Sequence, residues 1–201
     1  MLAAGLSGLL TGLSLIVAIG VQNAFVLRQG LRRSHVGEVV LLCTLSDLVL
    51  IVAGVTGIGA IVAHASWVLT LVRWVGVAFL VWYAIGSLRR ATHRESLAAS
   101  GAAADESRGR VLGRAAALTW LNPNVYLDTM FLLGSIANAH GTTDRWGFAV
   151  GAGLASALWF SLLGFGSTLA APLLSRPRAW QVLELTITVV VLVVAAKLAF
   201  A

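Results

Sequence analysis

Six long apolar blocks constrain this chain more than any other feature. They cover residues 2–27, 36–63, 67–88, 112–138, 146–174 and 179–200. A helix needs about 20 apolar residues to cross roughly 30 Å of hydrocarbon, and each block has that length. Of 201 residues, 59% are hydrophobic and 11% charged, where a soluble domain carries about a quarter charged residues. The mean hydropathy is +0.91. No single water-soluble core hides that much apolar surface. The expected fold is an all-α integral membrane protein with six transmembrane helices, and the lipid bilayer is its partner. Only His64, Ala65 and Ser66 separate the second and third blocks, which predicts a tight hairpin. The N-terminal MLAAGLSGLL lacks the basic region of a cleaved signal, so the first block is expected to be a retained span.

The basic residues orient the spans. After odd-numbered spans come Arg28, Arg32 and Arg33, then Arg89, Arg90, Arg94, Arg108, Arg110 and Arg114, then Arg176 and Arg178. The opposite side has only Arg73, Arg145 and Lys197. Short clusters between apolar blocks fit cytoplasmic loops rather than nucleic-acid binding, despite a pI near 11.0. The positive side stays in the cytoplasm, which places both termini outside. Residues 89–111 are rich in Ala, Ser and Gly without apolar periodicity, as expected of a flexible cytoplasmic linker. The linker divides the chain into three-helix halves, 1–88 and 112–201. An odd number of spans per half gives the halves opposite orientation, which is the arithmetic of inverted repeats.

Polar interruptions fall at matching places in the halves. The first span carries GVQNAFVL at 20–27, and the fourth carries LNPNVYLD at 121–128. Matched interruptions in corresponding helices point to a binding site. Pro123 removes the amide that would bond back to residue 119, and freed carbonyls are tolerated only beside a cavity. Gly20 supplies backbone freedom before Gln22 and Asn23, which either bind a ligand's amino-acid head or join helices. Asn124 and Asp128 share one helical face by i,i+4 spacing, and Asn122 and Tyr126 share the next. Asp47, in CTLSDLVLIVAG, lies eleven residues into its span, roughly 16 Å deep at 1.5 Å per residue. A charge there costs about 2.5–3.5 kcal/mol on insertion scales, so it needs a partner, a substrate or a water cavity. The alternative for Asp47 is a protonated, hydrogen-bonded link between helices, and for the stretch around Pro123 a tolerated kink in which the asparagine side chains re-bond the backbone.

The remaining features read as structural. Glu38 and Glu184 lie near arginines, while Arg73 and Lys197 lie near outer ends and can snorkel. Trp67, Trp74, Trp82, Trp146 and Trp180 are expected as interface anchors. Gly8–Gly12 and Gly147–Gly151 predict close helix packing or a dimer face. The four histidines form no i,i+4 pair, so neither a metal site nor a cofactor is expected. The single Cys43 excludes an intramolecular disulfide and a Cys-x-x-Cys redox pair. No nucleophile–base pair or cofactor fingerprint appears, so transport fits better than enzymatic catalysis. Two deep carboxylates favour a cationic solute.

GVQNAFVLRQG (20–30), CTLSDLVLIVAGVTGIG (43–59) and TWLNPNVYLDT (119–129) together resemble the lysine exporter (LysE-type) family, in particular its lysine/arginine exporters. The resemblance spans the chain in length and span order. It implies an inner-membrane exporter of basic amino acids, driven by the proton motive force and homodimeric. Gln22 and Asn23 match the family's first-span element, Asp47 its second-span acid, and Asn122, Pro123 and Asp128 its fourth-span motif. Val21 stands where a smaller residue or proline is usual, and Asn124 where histidine is common. Asparagine cannot carry a proton, so coupling would fall to Asp47 or Asp128. The expected function is alternating-access export of L-arginine and/or L-lysine. Asp47 and Asp128 would hold the cationic groups, while Gln22, Asn23, Asn122, Asn124 and Tyr126 would bind or line the path. The rivals are export of a neutral amino acid or metal cation, and a membrane redox or assembly protein.

Overall fold

The computed structural model describes residues 1–18, 20–57, 66–92, 106–174 and 177–200. Every regular element among them is helical. The chain runs through α1 (Leu2–Ile16), α2 (Val21–Arg32), α3 (Val36–Val55) and α4 (Ser66–Thr92). It continues with α5 (Arg108–Trp120), a single turn Pro123–Val125, a π-helix Tyr126–Leu132 and α6 (Leu133–Ala139). Helices α7 (Gly141–Ala170) and α8 (Pro177–Phe200) complete it, joined by a 3-10 turn at Ala171–Leu174.

The apolar blocks do become helices, though not six uniform ones. By length and hydropathy, four segments can each cross a membrane: Val36–Val55, Thr70–Arg89, Gly141–Ala170 and Trp180–Phe200. A fifth is added if α1 and α2, bent by 82°, count as one broken span. The expected fourth span, 112–138, is divided among α5, the Pro123 turn, the π-helix and α6. Both departures have the same cause: the polar interruptions end helices where the blocks were expected to run through. The hairpin expected at 64–66 lies outside the described residues except for Ser66, which opens α4. Of the expected linker, 89–92 continue α4 and 108–111 open α5, while 93–105 lie outside the described residues.

Glycines set how closely the helices approach. A Cβ built on Gly8 of α1 would sit 2.0 Å from the Phe148 carbonyl oxygen of α7, and one on Gly151 would sit 1.9 Å from the Gly5 oxygen. The two glycine spacings therefore serve packing within the chain, α1 on α7. Helix α3 meets the π-helix and α6 in the same way, since a Cβ on Gly54 would lie 2.3 Å from the Met130 oxygen. Helix α2 lies deepest. Nine of its twelve residues are buried, Arg28 and Gln29 among them, and it shares a core with α3, α4, α5 and α8 around Phe25, Val39, Leu80 and Val191.

Outward positions are apolar along whole faces, for example Leu41, Leu45, Val49 and Val52 on α3, and Val150, Leu154, Leu158 and Leu162 on α7. Patches of that extent face lipid or a partner rather than water. Trp67, Trp74, Trp82 and Trp146 are exposed as anchors would be. Trp180 is not: it is 1% exposed, because its side of α8 turns into the helix bundle.

Charges collect at two ends. At one end the Met1 ammonium lies 2.7 Å from Asp144, and the Arg73 guanidinium donates to the Ala199 carbonyl oxygen at 2.8 Å. At the other end Glu106 pairs with Arg32 and Arg114, and Glu38 with Arg108 and His35. Inside that second end, Arg28 Nε lies 2.7 Å from Glu184 Oε1, with side chains only 1% and 0% exposed. Ser87 of α4 donates to the other oxygen of Glu184, and Tyr83 lies beside the Arg28 guanidinium.

Candidate functional site

The site is built from the two helix breaks. At the first, α1 ends at Ile16 and α2 begins at Val21. The last carbonyls of a helix have no amide partner within it. Asn23 supplies one, donating from Nδ2 to the Ile16 and Ala18 oxygens at 2.7 and 2.8 Å. Its Oδ1 accepts from Trp159 Nε1 of α7 at 3.2 Å. Both ends of this amide are thus engaged in holding the break. Gly20 adopts φ −110° and ψ 179°, an extended conformation open to any residue. The nearest atom to a Cβ there would be 3.9 Å away, so the break does not depend on the freedom of glycine.

The second break is fastened by equivalent chemistry. Asn122, also extended, caps the next turn by accepting from the Asn124 amide at 3.2 Å, and Pro123 takes the first helical position, where no amide is needed. The Trp120 carbonyl, left without its usual amide, accepts from the Tyr126 hydroxyl at 2.7 Å. The backbone then widens into the π-helix, whose C-terminal Leu133 amide bonds to the Asp128 carbonyl. Such widenings recur at functional sites.

Between the breaks lies a cavity of about 290 Å3. The first break contributes Gly20, Val21, Gln22 and Asn23 to its wall, and the second contributes Asn122, Asn124, Asp128 and Thr129. Asp47 reaches it from α3, Phe160 from α7, and Val194 and Lys197 from α8. Six of the seven residues expected to bind substrate therefore line one cavity. Tyr126 does not; its hydroxyl is occupied at Trp120. Asp47 and Asp128 share this wall.

 They come from α3 and the π-helix, and no sequence spacing could have brought them together.

Asp47 is 3% exposed. It accepts from Ser156 Oγ of α7 at 2.7 Å and has no salt bridge among the described residues. Beside it, Ser46 accepts from Trp120 Nε1 at 3.1 Å. Asp128, exposed where Asp47 is buried, also lacks a salt bridge among the described residues. Gln22 Nε2 is buried without a hydrogen-bond partner. The wall can therefore receive cationic groups at the two carboxylates and polar groups at its amides. No group of three metal-ligating side chains occurs among the described residues.

Sequence reasoning missed Ser156, Trp159, Trp120 and Lys197. Ser156 and Trp159 lie one turn apart on α7, but a serine and a tryptophan in an apolar helix are too common to mark a site. Lys197 was read only as the end of a helix.

The LysE type translocator family matches residues 13–201. The chain is 36% identical to the lysine exporter LysE of Corynebacterium diphtheriae, over 96% of this chain and 97% of that protein. It is 41% identical to the arginine exporter protein ArgO of Pectobacterium carotovorum, over 99% and 98% of the two chains. It is also 41% identical to ArgO of Salmonella schwarzengrund, over 96% and 91%. No solved structure matches the chain. On a family match over nearly the whole chain and relatives of this similarity, the protein belongs to the LysE type translocator family, multi-pass membrane transporters rather than enzymes.

Proposed function

We propose that the protein exports cationic amino acids, L-arginine and/or L-lysine, across the bacterial inner membrane by alternating access. One observation carries this reading: Asp47 and Asp128 line a single cavity between two helix breaks, and neither forms a salt bridge among the described residues, although Lys197 lines the same cavity. A buried carboxylate needs a compensating partner, and a cationic solute supplies it. The names of the relatives, lysine exporter and arginine exporter, agree with such a cargo. Asp47 and Asp128 hold the substrate's positive groups, and Gln22, Asn122 and Asn124 form the polar wall. Asn23, Pro123 and Tyr126 keep the breaks in shape.

The halves act as inverted repeats, with α5 and α6 forming a broken span that corresponds to α1 and α2. Element pairing supports this: α1 and α2 pack on α7, as α5 and α6 pack on α3. Exchanging the halves maps one set of contacts onto the other. The arginine-rich end faces the cytoplasm and the end with Met1 and Asp144 faces outward, as the basic bias suggests. The proton motive force drives export, and protons move through Asp47 or Asp128, since Asn124 cannot titrate.

The test is efflux of labelled arginine and lysine from loaded cells, with and without a protonophore. Efflux that requires the protein and collapses with the protonophore is expected. Wild-type efflux by both Asp47→Asn and Asp128→Asn would remove the mechanism.

A further inference from the structure

The ionisable groups on the cavity wall are Asp47, Asp128 and Lys197. A dibasic amino acid carries the opposite set: two cations, at its α-amino group and side chain, and one anion, its α-carboxylate. Resting on the export reading above, we propose that Lys197 is a specificity-determining residue that receives the substrate's α-carboxylate. The site then selects a complete cationic amino acid over the diamine left when the carboxylate is removed.

Lys197 stands in the last turn of α8. Val194, three residues earlier, lines the same cavity, so Lys197, exposed in the last turn, shares the helix face that borders it. Lys197 carries no salt bridge among the described residues. Two further donors favour an anion in the same space. Gln22 Nε2 is buried and unpartnered. Helix α2 begins at the wall, and its N-cap Gly20 offers no side chain to cap it. The first amides of a helix lack internal acceptors and carry a partial positive charge.

Charge balance follows from this set. A diamine would satisfy both carboxylates and leave Lys197 facing two added positive charges with no anion. An amino acid without a basic side chain would satisfy Lys197 and leave one carboxylate without a cation. The competing role for Lys197 is a cation stabilising the C-terminus of α8. That role would change stability without changing which ligand is preferred.

The experiment uses the full chain, purified in detergent, with arginine and agmatine, its decarboxylated counterpart, as probes. Binding is read by displacement of labelled arginine, and folding by thermal unfolding. Wild type should prefer arginine over agmatine. Lys197→Met should weaken arginine binding roughly tenfold, the scale of one charge-assisted hydrogen bond, while leaving agmatine unchanged or tighter. Lys197→Arg should keep the preference, which guards against a general effect of substitution. Equal loss for both probes in Lys197→Met, or no loss for either, overturns the role of Lys197 while leaving the export reading intact. Wild type that binds neither arginine nor lysine overturns both.

Discussion

Glu184 and Asp47 are both carboxylates buried in apolar helices, and the fold treats them in opposite ways. Glu184 is fully enclosed with Arg28 at 2.7 Å and Ser87 on its other oxygen. Asp47 has only the Ser156 hydroxyl among the described residues, and it opens on a cavity. The first carboxylate carries its cation within the chain and ties α2, α4 and α8 together. The second is held in place but not neutralised, so its partner comes from outside. A buried acid marks a ligand site when the fold orients it without supplying the opposite charge.

The largest expected effect breaks the first half of this comparison. Arg28→Leu leaves Glu184 as an uncompensated buried charge and should destabilise the protein by about 3–5 kcal/mol. Thermal unfolding in detergent reads the loss. Arg28→Leu combined with Glu184→Leu should recover most of it, because both charges leave together. A single variant as stable as wild type would mean that the pair does not hold the helices.

The second half predicts the reverse pattern. Asp47→Asn keeps the shape and the Ser156 contact, so the unfolding temperature should stay near wild type. Arginine binding should fall more than roughly tenfold, as expected when a charge-assisted contact is lost. Unfolding at a much lower temperature with binding intact would place Asp47 with Glu184 as a structural acid. Asp128→Asn should give a smaller loss, because Asp128 is less enclosed and water competes with its contacts.

The smallest effect separates wall from scaffold. Tyr126→Phe removes the hydroxyl bond to the Trp120 carbonyl, worth about 1 kcal/mol of stability. Arginine affinity in titration should barely change. A large loss of affinity with stability intact would return Tyr126 to the binding surface.

Much of this was legible in the residues. The apolar blocks announced membrane helices, and the interruptions at 20–27 and 121–128 announced the breaks. Asp47 stood out because an acid deep in an apolar run is costly anywhere in a membrane. The division of labour among the polar residues was not legible. Asn23 and Gln22 are neighbours of similar chemistry, yet Asn23 is consumed by two carbonyls and an indole while Gln22 keeps a free donor. Tyr126 and Asn124 are both near Pro123, but only Asn124 faces the cavity. Trp180 resembled the other anchoring tryptophans and proved to be core.

The sequence by itself determined which segments must leave water and where their helices must end, because hydropathy and proline or asparagine chemistry act locally along the chain. Only the tertiary structure decided which polar groups are spent on those ends and which remain for a ligand. That choice depends on partners such as Trp159, Ser156 and Arg28, which lie far away in the chain and meet their targets only when the helices pack. Lys197 is the clearest case: at the end of α8 it reads as an ordinary terminal cation, and its place on the same cavity wall as two aspartates exists only in the folded protein.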